Sequence, residues 1–255
     1  MMATAAGAER VALECVEPRI YRMAIRDIEG RNRLSDGLLR DMARVLQAAA
    51  QQEDLSVLLL EGLRDVFCAG ASLDFLRRLS RGEADESSWW SLPEIFLSFP
   101  MPIIGSVTGH AVGGGLLVAL YCDMVVAAEE SRYGFNFIDL GFTPGMGATT
   151  LLPALVGTHF ANEMLLTGKL YRGRELRERS VFNRVVPAAQ VDGVVLDIAR
   201  SLALKPAPVL ALLKEALSLP RRRALPDTLQ REALMHRICF ASPDTARRID
   251  ELYAR

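Results

Sequence analysis

Three consecutive glycines, Gly113, Gly114 and Gly115, are the part of the chain best suited to hold a reacting atom. They follow a short apolar run with β-branched residues at 103–107, which predicts a buried parallel strand, and precede an apolar stretch at 116–121 that predicts a helix. A helix that begins at glycines presents unpaired backbone N–H groups at the positive end of its dipole. Because no side chain intervenes, an oxygen that gains negative charge can approach this backbone closely.

The same glycines are also compatible with a tight turn that packs against a neighbouring segment. Their spacing lacks the G-x-G-x-x-G pattern of dinucleotide sites, and G-x-x-x-x-G-K-[ST] occurs nowhere in the chain. A phosphate-binding loop is therefore disfavoured. The sequence does not disfavour an oxyanion hole, in which backbone N–H groups hold the charge that develops on a carbonyl oxygen.

Length and charge restrict the class of protein. The chain has 255 residues, is 50% hydrophobic and carries a formal net charge of −1, which suits one large domain or a core with a helical appendage. The near-zero charge argues against nucleic acid as the main partner. The densest basic run, 221–223, predicts a solvated loop or a contact with an acidic partner.

The cysteine pattern and the length of the apolar segments indicate the cellular compartment of the protein. The four cysteines are scattered and form no C-x-x-C pair, so reduced, buried thiols and no metal site are expected. Residues 1–10 lack a basic start followed by an apolar core, so no secretory signal is predicted. No apolar segment reaches the ~20 residues of a membrane span. We therefore expect a cytoplasmic protein that does not bind membranes.

Strands alternate with helices up to about residue 188, and helices alone follow, which predicts an α/β core over 1–188 and a C-terminal helical segment over 189–255. The expected elements are antiparallel strands around Pro18 in 11–28, a helix capped by Ser35, strands at 57–60 and 124–127, a helix from Gly147, and helices at 190–204, 207–217, 225–240 and 243–253.

The polar stretch 80–92, which contains Trp89 and Trp90, has two interpretations. It could be a mobile loop or lid over a pocket, or an ordinary surface loop. Both interpretations predict a loop.

Four motifs together resemble those of the crotonase (enoyl-CoA hydratase/isomerase) superfamily, and the similarity covers nearly the whole chain. They are FCAGAS at 67–72, GHAVGGG at 109–115, TPGMGATTLLPALVG at 143–157 and LLTGKLYRGRELRERSVFNRVVP at 165–187. The resemblance implies a spiral of ββα units with a C-terminal helical segment that serves oligomerisation and covers the active site. It also implies a homotrimer or hexamer.

The same resemblance implies a substrate that is an acyl thioester on coenzyme A or on a carrier protein. The backbone N–H groups of Ala71 and Gly114 would hold the thioester oxygen, and two such donors stabilise an enolate by several kcal/mol. Substrate-binding positions implied by the motifs are Ala69, Gly70, Leu73, Gly113, Leu117, Phe137 and Asp139.

The chain departs from the hydratase pattern at two positions. Hydratases of this superfamily use two glutamates to activate water, and those positions are Leu117 and Phe137 here. Apolar side chains cannot perform general acid/base work on water, so hydration is disfavoured.

The segment 109–153 resembles one branch of the superfamily, the methylglutaconyl-ACP decarboxylases of polyketide β-branching. Tyr133, Met146 and Ala148 fit this branch better than the hydratase pattern PGAGGTQ. The resemblance implies that a 3-methylglutaconyl group on an acyl carrier protein loses carbon dioxide and becomes 3-methylcrotonyl. No metal or organic cofactor is implied, because the thioester itself accepts the electron pair.

Two side chains handle the proton in that branch. The resemblance places the histidine at His236, whereas the lysine of the A-S-K stretch is replaced by Leu73. Arg77 or Arg78, one helical turn further on, could bind the substrate carboxylate but would be poor acids.

Two other functions stay open from the sequence. Asp139 lies where dienoyl isomerases of the superfamily carry an aspartate, which favours an enoyl thioester isomerase, although the partner glutamate falls at Ser131. The missing lysine and glutamates are also compatible with a non-catalytic thioester-binding protein. Of the other histidines, His110 is expected to bond backbone in its turn, and His159 to lie at the start of a surface helix.

Overall fold

The structure, a computed structural model, describes residues 9–84 and 87–253. Over these residues the strands are β1 (Val11–Glu17), β2 (Ile20–Ile25), β3 (Val57–Glu61), β4 (Val66–Cys68), β5 (Ile103–Val107), β6 (His110–Val112), β7 (Met124–Ala128), β8 (Arg132–Gly134), β9 (Leu170–Arg172) and β10 (Arg184–Val186). The helices are α1 (Asp36–Ala50), α2 (Leu73–Ser80), α3 (Ser87–Ser98), α4 (Gly114–Leu120), α5 (Ala148–Val156), α6 (Thr158–Thr167), α7 (Gly173–Leu176), α8 (Val191–Ala203), α9 (Ala207–Phe240) and α10 (Pro243–Tyr253).

The larger sheet has the strand order β1-β2-β3-β5-β7-β10, and every pairing except the β1–β2 hairpin is parallel. Its inner strands carry apolar side chains on both faces, as expected of a sheet that is covered on both sides. Helix α8 covers one face with Val191, Val195 and Ala199. The other face packs into the main core.

A second sheet has the order β4-β6-β8-β9 and is parallel except for β8–β9. The sequence analysis predicted no strand between the strand at 103–107 and the three glycines. It therefore missed β6, which is three residues long. Because β4 and β6 are parallel neighbours, the turns that leave them lie side by side at one edge of this sheet.

Helix α1 confirms the prediction made from hydrophobic spacing. The Ser35 hydroxyl caps it by accepting a hydrogen bond from the Leu38 amide at 3.2 Å. The buried positions recur at helical spacing, and they are Leu38, Leu39, Met42, Val45, Leu46 and Ala49.

The prediction of a loop over 80–92 is wrong for most of that stretch. Residues 87–92 belong to α3, while residues 85–86 lie outside the described part of the chain. Trp89 is buried with 6% exposure and stacks on Phe75 with ring centroids 4.1 Å apart. The buried residues Trp89, Leu92 and Phe96 recur at helical spacing, and this apolar stripe outweighs the polar residues around it.

The prediction of two helices at 207–217 and 225–240 is also wrong, because α9 is continuous over 34 residues despite Pro220 and Pro226. A proline inside a helix costs about 3 kcal/mol because it removes one hydrogen bond and crowds the preceding turn. One face of α9 packs against the body along its whole length, and these contacts outweigh that cost. Residues 221–223 are therefore helical and do not form a loop.

Asp123 ties strand β5 and helix α9 together. Its carboxylate accepts the Ile103 amide at 2.8 Å and pairs with the buried ammonium of Lys214 at 2.5 Å. The four cysteines are free thiols. Cys68 and Cys122 are buried, but Cys15 is exposed and so departs from the expectation of buried thiols.

Within the ranges described, no helix combines the length and the apolar character that a membrane crossing requires. The absence of a secretory signal was inferred from residues 1–10, of which 1–8 lie outside the described ranges.

Candidate active site

The two glycine-bearing turns interlock. Gly70 has φ +83°, and a methyl group there would lie 2.9 Å from the Val112 carbonyl oxygen and 3.9 Å from the Gly114 nitrogen. A methyl group at Gly115 would lie 2.2 Å from the Cys68 carbonyl oxygen. Only glycine lets the backbones approach this closely, and the contact brings Gly114 next to the turn that carries Ala71.

Hydrogen bonds on both sides of Ala71 orient its peptide group. The Leu34 amide donates to the Gly70 carbonyl oxygen at 2.7 Å, and the Ser72 amide donates to the Leu34 carbonyl oxygen at 2.8 Å. Successive N–H groups of an extended segment point to opposite edges, so the N–H of Ala71 points away from Leu34.

Gly114, the second donor that the resemblance implies, lies at the start of α4. The Gly113 amide donates to the Gly134 carbonyl oxygen at 2.9 Å, which leaves the N–H of Gly114 as the first donor of the helix. Gly113 has φ +56° and ψ −125°, a conformation that glycine adopts without strain.

Ala71 and Gly114 line the same cavity. Its walls are apolar and largely aromatic, and His236 is the one titratable side chain among the described lining residues. The other lining residues are Phe75, Leu76, Leu79, Trp89, Trp90, Phe137, Phe142, Gly145, Met146 and Phe240. An apolar, water-poor wall strengthens the effect of fixed dipoles on a developing charge.

His236 is brought to this cavity by α9. Its Nε2 lies 2.7 Å from the Thr143 carbonyl oxygen, and its ring packs edge-on against Phe142 and Phe240 at centroid distances of 5.9 and 5.5 Å. A methyl group at Gly145 would lie 2.6 Å from the His236 Cε1, so the imidazole rests on a glycine backbone. The side chain is 9% exposed.

The predicted binding positions divide into two groups. Phe137 lines the cavity with the two amide residues and His236, while Ala69, Gly70 and Gly113 form the turns beneath it. Phe137 is the one predicted binding position among the described lining residues. Of the six that do not line the cavity, Leu73, Leu117 and Asp139 also lie outside the two turns.

Each of these three has another environment. Leu117 is fully buried in the main core, and Leu73 packs beside Leu76 and Phe142 in a smaller apolar cluster. Asp139 is exposed, and its carboxylate lies against the backbone of Gly168. The structure therefore does not bring Asp139 to the oxyanion amides, as an isomerase that uses it would require.

Neither arginine of α2 replaces the missing lysine. Arg77 pairs with Asp250 at 2.7 Å, and Arg78 pairs with Asp36 at 2.9 Å. Both side chains point to ion pairs at the surface, and neither lines the cavity.

The other histidines lie outside the cavity. The His110 Nδ1 accepts the Arg132 amide at 3.0 Å, which confirms the expected backbone hydrogen bond. Partial burial and the nearby charge of Arg132 lower the pKa of His110. His159 is exposed near the start of α6, as predicted.

Glu232 is a buried acid that the sequence interpretation missed. It is 1% exposed and precedes His236 by one turn of α9. Its carboxylate accepts the Gly147 amide at 2.7 Å, the Thr149 amide at 3.0 Å and the Thr149 hydroxyl at 2.7 Å. Burial raises the pKa of Glu232, against the opposing effect of these hydrogen bonds. The spacing E-x-x-x-H on a helix was the available sequence signal.

Two glycine-bearing turns, an apolar cavity lined by Ala71 and Gly114 and a histidine from helix α9 are features of an enzyme of the crotonase fold that acts on acyl thioesters. Residues 16–251 match the family model for enoyl-CoA hydratase/isomerase, and the chain belongs to that family. Its fold is the mixed α/β spiral with a C-terminal helical segment that the sequence motifs implied.

Among its relatives are decarboxylases and hydratases. The chain is 33% identical to the bacillaene synthase decarboxylase PksI of Bacillus subtilis (strain 168), over 93% of this chain and 95% of that protein. It is 29% identical to the 2,3-dehydroadipyl-CoA hydratase of Escherichia coli, over 89% of each.

Solved structures that resemble this chain also include decarboxylases. The chain superimposes with a TM-score of 0.92 on a protein from a dehydratase/decarboxylase enzyme couple involved in polyketide β-branching, at 32% identity over 96% of this chain and 100% of that one. The ECH2 decarboxylase domain of CurF from Lyngbya majuscula gives a TM-score of 0.89, at 32% identity over 96% and 99%.

Proposed function

We propose that this protein is a carboxy-lyase of polyketide β-branching, which converts a 3-methylglutaconyl thioester, or a similar acyl thioester on an acyl carrier protein, to the 3-methylcrotonyl thioester. One observation carries the proposal. The cavity lined by Ala71 and Gly114 has apolar walls and, among its described lining residues, His236 as its one titratable side chain. The similarity to the PksI and CurF decarboxylases supports the same reaction.

The reaction needs an acceptor for one electron pair. When the bond between the carboxylate carbon and the γ-carbon breaks, carbon dioxide leaves and the pair delocalises into the unsaturated thioester as a dienolate. The negative charge resides largely on the thioester oxygen, which the amides of Ala71 and Gly114 bind. One such donor is worth about 3 kcal/mol of transition-state stabilisation.

The dienolate then needs one proton. The His236 imidazolium delivers it to carbon, and solvent reprotonates the ring, so that each turnover consumes one proton. Because a carbonyl oxygen can only accept, the contact with Thr143 keeps a proton on Nε2. The proton that His236 exchanges is therefore the one on Nδ1.

The walls explain why decarboxylation is favoured over hydration. The positions at which hydratases carry their two glutamates are Leu117, in the core, and Phe137, in the cavity wall. No carboxylate among the described lining residues can activate water. A substrate carboxylate in this cavity is poorly solvated, and it loses that disadvantage when it leaves as carbon dioxide.

The proposal also covers the carrier of the substrate, the oligomeric state of the enzyme and its cellular location. We infer an acyl carrier protein with a phosphopantetheine thioester as partner, a homotrimer or hexamer, and a cytoplasmic enzyme that binds neither nucleic acid nor membrane. An exposed apolar stripe on the first half of α9 supports assembly through the segment 189–255. Its members are Val209, Leu212, Leu213 and Leu217, each more than half exposed.

Mass spectrometry of the carrier-bound acyl group tests the reaction. The protein is incubated with 3-methylglutaconyl-ACP and with the matching pantetheine thioester, and the loss of carbon dioxide is followed over time. Crotonyl-CoA serves as the hydratase control. We expect decarboxylation and no hydration; folded protein that leaves every glutaconyl thioester intact would contradict the proposal.

A further inference from the structure

The carboxylate of Glu232 caps a helix to which it does not belong. Helix α5 begins after Gly147, which has no side chain and so cannot cap the helix itself. The Glu232 carboxylate accepts the amides of Gly147 and Thr149 and the hydroxyl of Thr149, all within 3.0 Å. A negative group at the start of a helix also interacts favourably with the helix dipole.

The segment held in this way is strained. Met146 has φ +58° and Gly147 has φ +80°, so two consecutive residues adopt the left-handed conformation. For methionine this conformation is unfavourable and persists only where the surroundings enforce it. The Tyr121 hydroxyl contributes by donating to the Met146 carbonyl oxygen at 2.6 Å.

The strained turn forms part of the catalytic cavity. Met146 and Gly145 both line it, and a methyl group at Gly114 would lie 3.3 Å from the Met146 Sδ. A change in the turn would therefore alter the space directly above an oxyanion amide.

Consecutive turns of α9 hold the two ends of this segment. His236 contacts its first end through the Thr143 carbonyl oxygen and the Gly145 backbone. Glu232, four residues earlier on the same helix, contacts its last end at Gly147 and Thr149. The position of the His236 ring relative to Gly114 thus depends on how firmly α9 is attached to residues 143–149.

We propose that Glu232 is a positioning residue for the decarboxylation, because its buried carboxylate fixes residues 143–149 against α9 and thereby sets the place of His236 and Met146 over the oxyanion amides. This inference rests on the proposed function for its kinetic assay. Its spectroscopic assay is independent of any activity.

Glu232→Gln tests the proposal. A glutamine has one acceptor oxygen and an NH₂ group, so it would place a donor against one of the three donors that the carboxylate now accepts. We expect kcat to fall roughly 10- to 100-fold, because a displacement of about 1 Å costs that much. KM should change by less than about threefold, because the lost contact acts mainly in the transition state. Glu215→Gln, at an exposed glutamate of the same helix, is the matched control.

The imidazole N–H protons of His236 give the second readout. In the wild-type protein the Nε2 proton is held by the Thr143 carbonyl oxygen, and we expect a slowly exchanging downfield signal in the ¹H–¹⁵N spectrum. The signal should shift or broaden in Glu232→Gln and stay in place in Glu215→Gln. The ring signals of His159, which is exposed, report any general change.

A milder variant keeps the test valid if Glu232→Gln does not fold. Thr149→Val removes the hydroxyl donor but leaves the charge and both backbone donors, so kcat should fall by a smaller factor and the His236 signal should move slightly. If the folded Glu232 variant matches Glu215→Gln in kcat and in the His236 signal, or if Thr149→Val alone folds and changes neither, the proposal is overturned. A wild-type protein without decarboxylase activity contradicts the proposed function, while the His236 signal still decides the role of Glu232.

Discussion

The Nε2 atom of His236 lies 2.7 Å from the carbonyl oxygen of Thr143. Because a carbonyl oxygen can only accept a hydrogen bond, Nε2 carries a proton in this contact. It also joins helix α9 to the loop before α5, so His236, the proposed proton donor, and the wall of the cavity are positioned together.

His236→Ala should slow decarboxylation markedly. General acid catalysis by a positioned side chain typically contributes about 10²- to 10⁴-fold, and we expect kcat to fall within that range. His159→Ala, at an exposed position of α6, is the control and should match the wild type. A His236→Ala variant with unchanged kcat would assign the proton delivery to water.

A methyl group at Gly114 should obstruct the oxyanion site. It would lie 3.1 Å from Leu34 Cδ1 and 3.3 Å from Met146 Sδ, inside the cavity. Overpacking of this kind costs about 1–3 kcal/mol, so Gly114→Ala should lower kcat/KM roughly tenfold or more. Gly193→Ala, on α8, meets nothing within 4 Å and should leave kcat/KM unchanged. Steady-state kinetics of the two variants decides whether the space above Gly114 is used.

Asp139→Asn separates the decarboxylase from the isomerase hypothesis. Asp139 is exposed and lies against Gly168, so the substitution should leave the rate of decarboxylation within about twofold of the wild type. Solvent deuterium exchange into an enoyl-CoA should likewise be the same in both proteins. Exchange that the wild type catalyses and Asp139→Asn abolishes would support the isomerase instead.

The chain shows which parts of such a site are predictable from sequence. The glycine turn before α4 and the Ser35 cap could be predicted because both are local features of the sequence. Ala71 and Gly114 were named through the resemblance to the family. The resemblance also named His236, and the structure places this residue in the wall of the same cavity as Ala71 and Gly114. Each of these features is carried by one short segment of the sequence.

What the sequence missed depends on contacts between distant segments. Pro220 and Pro226 argue for a break in α9, yet packing along the whole helix keeps it continuous. Glu232 has the appearance of a solvated charge, and its donors at Gly147 and Thr149 lie more than 80 residues away in the chain. The helix at 87–98 carries Trp89, which is buried in the main core and stacks on Phe75 from another segment of the chain.

The buried pair of Lys214 and Asp123 should matter more for stability than an exposed pair. The Lys214 side chain is 3% exposed, and Asp123→Ala would leave its charge buried without the carboxylate. We expect a loss of about 3–5 kcal/mol in the free energy of unfolding, measured by urea denaturation. Glu9→Ala removes the exposed pair with Arg44 and should cost less than about 1 kcal/mol. Equal losses for the two variants would show that the buried pair contributes no more than a surface contact.

Glu232 should make the stability of the folded protein depend on pH. Burial raises the pKa of this carboxyl in the folded state above its ordinary value of 4.5, so the folded protein binds the proton more tightly than the unfolded chain does. The contribution of Glu232 to stability is therefore greatest below that value and decreases as the pH rises through the raised folded pKa. The difference in free energy of unfolding between wild type and Glu232→Gln should consequently shrink as the pH increases from 4.5, in urea titrations at several pH values. A difference that grows with pH would mean that the amides of Gly147 and Thr149 stabilise the carboxylate by more than its burial destabilises it.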